Sequence, residues 1–285
     1  MTITEKAMLA GVKISMWSAR KLDRKVTDET NLAHNANADA GRYNKALLSS
    51  DALAEIVTIA GRARKEHYAR TLPWADNGNR ILSAVGYAEF ASVMRGLGAE
   101  FDSAVDRFVA GYPAFVDDAR VRLNGMFDAS DYPDASDVRS RFSFKRQIWP
   151  MPDAADFRVD LSAGESQRIR DDIAAEFASS VQMATRDIFQ RIAETVGHMA
   201  EKLKSFSGQP GERMHESLVG NVRDLVKLLP SLNITGDATL TRLTERMEAS
   251  LCQYDKDALR DDANLRKVTA DAAAEILREV SDFMA

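Results

Sequence analysis

Residues 163–206 read AGESQRIRDDIAAEFASSVQMATRDIFQRIAETVGHMAEKLKSF, and the spacing of their apolar side chains decides the fold. Ile169, Ile173, Phe177, Val181, Ala184, Ile188, Ile192, Val196, Met199, Leu203 and Phe206 cover 37 residues in ten steps, a mean of 3.7. That period places them on one side of an α-helix. It lies close to the eleven-residue repeat, so the helix should be nearly straight or slightly right-handed in its supercoil. Ser162 and Glu165 form a capping box at its start. Gly164 and Gly197 weaken the helix without stopping it. Unbroken, it would run about 65 Å at ~1.5 Å per residue.

Downstream, SGQPGE at 207–212 ends this helix. A further helix from about Glu212 carries Leu218, Val222, Leu225, Val226 and Leu229 and ends at Pro230. After a Thr-Gly-Asp turn at 235–237, Leu240, Leu243, Met247 and Leu251 mark the next. The last spans roughly 263–284, with Leu265, Val268, Ala272, Ile276, Val280 and Phe283. Connections of a few residues favour antiparallel neighbours. Upstream, Tyr87, Phe90, Met94, Leu97, Phe101, Val105, Phe108, Tyr112 and Phe115 recur at a mean of 3.5 residues. This is a heptad seam, read equally as core or as an interface with a partner. Pro113 predicts a kink or a break near Gly111. Another helix begins at Ser50 and ends near Leu72, ahead of Pro73, with an Asn-Gly turn following beside Trp74.

Three stretches alternate with period two and predict strands. Residues 8–17 set Val12, Ile14 and Met16 against Lys13 and Ser15. In 138–149, Val138, Phe142, Phe144 and Ile148 alternate with Arg and Ser; in 156–162, Phe157, Val159 and Leu161 share a face. A two-stranded ribbon is marginal in water, so these strands should pair together or lie on the helices. The fold class is therefore mainly α: long antiparallel amphipathic helices, bundle- or coiled-coil-like, with a small β-ribbon or sheet from residues 8–17, 138–149 and 156–162. Residues 1–210 should form one elongated domain, with 211–285 a helical segment packed on it.

The chain has 285 residues, 45% hydrophobic and 28% charged, with a formal net charge of −5. This supports a core and argues against a surface built throughout for nucleic acid. Residues 1–80 hold 13 Lys+Arg and 9 Asp+Glu; the remainder holds 25 and 34. One cysteine, Cys252, allows no intrachain disulfide, and the four histidines lack zinc-helix spacing. No GxSxG elbow or phosphate-binding glycine loop occurs. The pairs Asp117–Asp118, Asp171–Asp172 and Asp261–Asp262 are sequence neighbours that diverge on a helix. No enzyme, metal or cofactor is therefore expected. The first residues lack a secretory signal and no apolar run reaches ~20 residues, so no membrane is expected and a cytoplasmic setting is.

Three basic clusters remain. Arg20, Lys21, Arg24 and Lys25 follow Trp17; Arg62, Arg64 and Lys65 precede His67 and Tyr68; Arg139, Arg141, Lys145 and Arg146 lie in the 138–149 stretch. Cations interleaved with aromatics suit single-stranded nucleic acid. Solvated surface charge is the favoured reading, with Trp17 as an anchor ending a half-buried strand. The clusters would form a site only on a common face.

ISMWSARK (14–21), LLSSDALAEI (47–56), LPWADNGNRIL (72–82), the run from Tyr87 to Tyr112, RFSF (141–144) and WPMP (149–152) recur in an order that resembles an uncharacterised family of phage and proteobacterial proteins. The resemblance spans roughly residues 8–210 and rests most on Trp17-Ser18 and on Phe101, Phe108 and Tyr112, which are packing or interface residues. It carries over no catalytic residue. Members are sometimes encoded near a MoxR-like AAA+ ATPase and a von Willebrand factor A domain protein, which implies an adaptor role in such a system, in a bacterial or phage-infected cell. The expected function is a non-enzymatic, self-assembling protein or adaptor acting through protein contacts; the alternative is a nucleic-acid-binding accessory protein.

Overall fold

The computed structural model describes residues 2–75, 78–156, 159, 161–209 and 211–284. In chain order the regular elements are α1 (Ile3–Lys6), β1 (Ala7–Ser15), β2 (Arg20–Leu22), α2 (Arg24–Ala33), β3 (Asn44–Ala46), α3 (Ala54–Arg70), β4 (Leu72–Pro73) and β5 (Arg80–Ser83). Next come α4 (Tyr87–Leu123), α5 (Ala135–Ser140), β6 (Ser143–Pro150), α6 (Ala163–Ser205), α7 (Ser217–Leu232), α8 (Ala238–Leu251), α9 (Lys256–Asp261) and α10 (Ala263–Met284). The protein is mainly helical, with a small antiparallel sheet in the order β4-β5-β1-β6 and a separate β2-β3 ribbon. No helix among the described residues is long and apolar enough to cross a membrane.

The chain divides into two compact units: a larger one of residues 1–11, 67–91 and 147–285, and a smaller one of 12–66 and 92–146. This division does not follow a boundary at 210. The helices after 211 share a unit with α6 because they cover its apolar stripe.

In the larger unit, α6 is continuous over 43 residues. Ser162 starts it by accepting a hydrogen bond from the Glu165 amide at 3.3 Å. From Ser180 onward its stripe is buried, including Ala184, Ile188, Ile192, Val196, Met199 and Leu203. α10 lies antiparallel to it: Phe189 stacks on Phe283 at 5.1 Å, Gly197 faces Leu277, and Phe206 lies under Arg266. α8 also runs antiparallel to α10, joined by pairs of Arg242 and Arg246 with Glu275 and Glu279. β1 pairs antiparallel with β5 from Ala7↔Ser83 to Ala10↔Arg80, and β4 with β5 through Leu72↔Ile81. The Asn-Gly signal is thus a β4–β5 hairpin; Gly78 sits at φ +84°, where glycine avoids a Cβ clash, while Asp76 and Asn77 lie outside the described residues.

Two strand expectations shift. Val138 is buried on the short helix α5, and the strand begins only at Ser143. Asp134 and Asp137 at the start of this stretch favour a helical turn over a strand. In 156–162 the described residues form no strand: Asp156 closes a 3₁₀ turn, and Val159 and Leu161 are exposed. Phe157, Arg158 and Asp160 lie outside the described residues. The sheet takes its other strands from β4 and β5 instead.

In the smaller unit the heptad seam is core. Leu97, Phe101, Val105, Phe108 and Tyr112 of α4 bury against Ile56, Ile59, Ala60 and Ala63 of α3, with Trp17, Leu47, Val138 and Phe142. Gly98 lets Phe144 approach closely, since an added Cβ would meet its ring at 3.4 Å. Of the kink or break expected at Pro113, the break does not occur: α4 runs through it for 37 residues. Proline inside a helix costs about 3 kcal/mol. Phe108 and Tyr112 before it and Ala119 after it are buried, and that burial outweighs one lost hydrogen bond.

Candidate functional site

The eleven candidate cations all fall in the smaller unit, which holds 18 Lys+Arg and 16 Asp+Glu. The β2-β3 ribbon explains the first cluster. Its antiparallel register sets Lys21 directly opposite Lys45, with Arg20 opposite Ala46 and Leu22 opposite Asn44. Two lysines facing each other on one side of a ribbon repel and need a counter-charge. Asp131 supplies it, held in a 3₁₀ turn whose cap, Asp128, accepts from the Ser130 amide at 2.9 Å. Lys21 bonds Asp131 Oδ1, while Lys45 Nζ lies 2.7 Å from Asp131 Oδ2 and 3.6 Å from Asp23 Oδ2. Lys45 also donates to the Met126 carbonyl at 2.8 Å. Asp23 caps α2 by accepting from the Val26 amide. Two lysines and two aspartates thus form a charge-neutral cluster beneath a surface depression of about 460 Å³, with Lys45 and Asp131 buried.

The electrostatics of this cluster oppose acid–base chemistry. Burial works against the charge on Lys45, but Asp131 and then Asp23 outweigh it and hold its pKa above the ordinary lysine value. Burial likewise disfavours ionised Asp131, yet hydrogen bonds from Lys21 and Lys45 pull its pKa below the usual value. A catalytic lysine is lowered and a catalytic carboxylic acid raised. Here both shifts run the other way, so the cluster locks a ribbon to a loop.

The other cations divide between pairing and solvent. Arg62 pairs with Glu100 at 2.7 Å, Arg139 with Asp106 at 3.0 Å and Asp102 at 3.5 Å, and Lys25 reaches Glu29 at 4.0 Å. The Arg141 guanidinium stands 5.6 Å from the Trp17 ring. Arg20, Arg24, Arg64, Lys65, Lys145 and Arg146 are exposed and have no ion pair among the described residues. Trp17 is buried, packed edge-on to Tyr112 at 6.0 Å; Phe101 and Phe108 are buried beside it in the same core.

The aromatics near the second cluster belong to the larger unit. His67 is buried there, its Nε2 3.2 Å from the Ala10 carbonyl. Burial lowers its pKa, and the nearby Arg80 charge adds to this. The ring of Tyr68 is covered on one face by Arg80 at 4.5 Å, which removes that face as a base-stacking platform. Arg80 and Arg191 were not singled out in the sequence. Both donate to the Thr71 carbonyl, at 3.2 and 2.8 Å, and Arg191 also to that of Ala69. They close the free carbonyl end of α3, Arg80 from nine residues away and Arg191 from 120 or more.

Cys252 is half-buried and ends α8; burial pushes its thiol pKa up, the direction that disfavours the nucleophilic thiolate. Among the described residues no three His, Cys, Asp or Glu side chains are placed to hold a metal ion.

The clearest incomplete surface is the amino-terminal part of α6. Ile169, Ile173 and Phe177 continue the stripe that is buried from Ser180 onward, but they are only half-buried. Phe177 packs against Trp74 at 5.8 Å, whereas among the described residues Ile169 and Ile173 belong to neither buried core nor its packed neighbours. Val159 and Leu161, just before the helix, are 59% and 46% exposed. No family model, no curated protein and no solved structure matches the chain.

Proposed function

We propose that this protein works through protein–protein contacts, and that the amino-terminal part of α6 pairs with the same segment of a second copy. The observation that carries this reading is the stripe itself: one helical face, buried in its carboxy-terminal half, continues through Ile173 and Ile169, which among the described residues join neither core. An antiparallel pair centred on Asp171 sets Ile169 of each copy against Ile173 of the other. The flanks carry both signs, with Arg168, Asp172 and Glu176, which suits a self-complementary contact. Fully burying an isoleucine gives about 1.5–3 kcal/mol, and these side chains are already half covered. The remaining burial of four of them gives about 3–6 kcal/mol at most, which the entropy of association largely offsets. The contact is therefore weak, with a dissociation constant no tighter than about 1 mM. Ile173→Asp should abolish the association. Sedimentation equilibrium from about 10 µM to about 1 mM tests it, and a monomer throughout would refute it. The AAA+ system implied by the family resemblance is the hetero-partner this reading would admit.

The gathering of all eleven candidate cations in the unit of net charge +2 favours a second reading, nucleic-acid binding. Five of the eleven are engaged by acids or Trp17, which leaves six for phosphate. Absence of DNA binding at about 50 mM salt, where counterion release helps most, would sink it.

A further inference from the structure

We propose that the pocket between the end of α6 and the start of α7 binds a small phosphate-bearing molecule with an apolar body. The pocket holds about 250 Å³, near the lower end for small-molecule sites, which suits one phosphate and a small ring. His198 and Lys202 are one turn apart on α6 and project to the same side. Arg213 and His215 face them from the connecting segment. None of these four side chains has a hydrogen bond or ion pair with a described residue, whereas Arg242 and Arg246 of the same unit are fully paired.

The one carboxylate lining the pocket, Glu212, is held by donors outside this group. Its Oε2 accepts from the Ser207 amide at 2.9 Å, the Ser207 hydroxyl at 2.8 Å and the Gly208 amide at 3.0 Å. Those bonds, the Ser207 hydroxyl foremost, hold its carboxyl below the ordinary value. Gly208 stands at φ +73°, the left-handed conformation that lets consecutive amides converge on one oxygen. Phe206, Met214 and Leu218 supply the apolar floor, and Arg266 stacked at 5.1 Å fixes the Phe206 ring. Opposing Lys202 and Arg213 match a phosphate dianion through charge-assisted hydrogen bonds, and the start of α7 adds its positive end.

Isothermal titration with phenyl phosphate, inorganic phosphate and sodium chloride at matched ionic strength tests the assignment. Saturable binding of phenyl phosphate is expected, tighter than inorganic phosphate, and weakened about tenfold or more by Lys202→Ala with Arg213→Ala. Both side chains are exposed, so the variant should keep its circular dichroism and melting temperature. No saturable heat below about 10 mM, undiminished binding by the variant, or equal affinity for the two phosphates would each overturn the proposal.

Discussion

Tyr112 shows how a residue can be legible in role and illegible in detail. Its place in the heptad seam marks it for burial, and it is buried against Trp17 and Phe108. The same burial leaves its hydroxyl without a hydrogen-bond partner among the described residues and raises its pKa. A buried unsatisfied hydroxyl costs about 1–3 kcal/mol. Tyr112→Phe should therefore leave stability unchanged or raise it by about 1 kcal/mol in urea unfolding; a loss of that size would show a hidden partner. His67 gives a pH dependence. Its pKa is lowered in the folded state, so the unfolded chain binds more protons between that value and about 6.5. Stability should rise with pH across this window and be lost as pH falls through about 6.5. His67→Gln keeps a donor for the Ala10 carbonyl, and its unfolding free energy should fall less than that of the unchanged protein between pH 7.5 and 5.

Among the elements, long helices were readable and short strands were not. A period near 3.6 sustained over 37 residues has no strand interpretation, which is why α6 and α4 stand out. Two- and four-residue strands such as β4 and β5 carry too few side chains for a period, so only their turn signal marks them. Pro113 left a kink and a break both open for a different reason. Local rules give the penalty for a proline in a helix, while the compensating burial of neighbouring seam residues is tertiary. Pro113 is exposed, so Pro113→Ala leaves no cavity and restores a backbone donor. The melting temperature should rise by several degrees, about 1–2 kcal/mol after the lost rigidity of the unfolded chain is deducted.

For the whole molecule, charge separates the two functional readings. Each copy carries −5, so two copies repel and added salt should strengthen an apolar self-contact. Nucleic-acid binding through lysine and arginine weakens with salt instead. Raising salt from about 50 to about 300 mM in parallel sedimentation and DNA-binding measurements should move the two in opposite directions. The sequence alone determined the helical class, the apolar stripe of α6 and the seam of α4, because each follows from local spacing along one element. It could not assign partners to cations. Arg62, Lys21 and Arg139 meet their acids across separations of 33 to 110 residues, and Arg80 and Arg191 converge on Thr71 from different elements. Only the tertiary structure decided which charges are neutralised, which aromatic faces are covered, and where an apolar stripe runs past its cover. Those outcomes depend on which elements become neighbours, and that is fixed by burial over the whole chain.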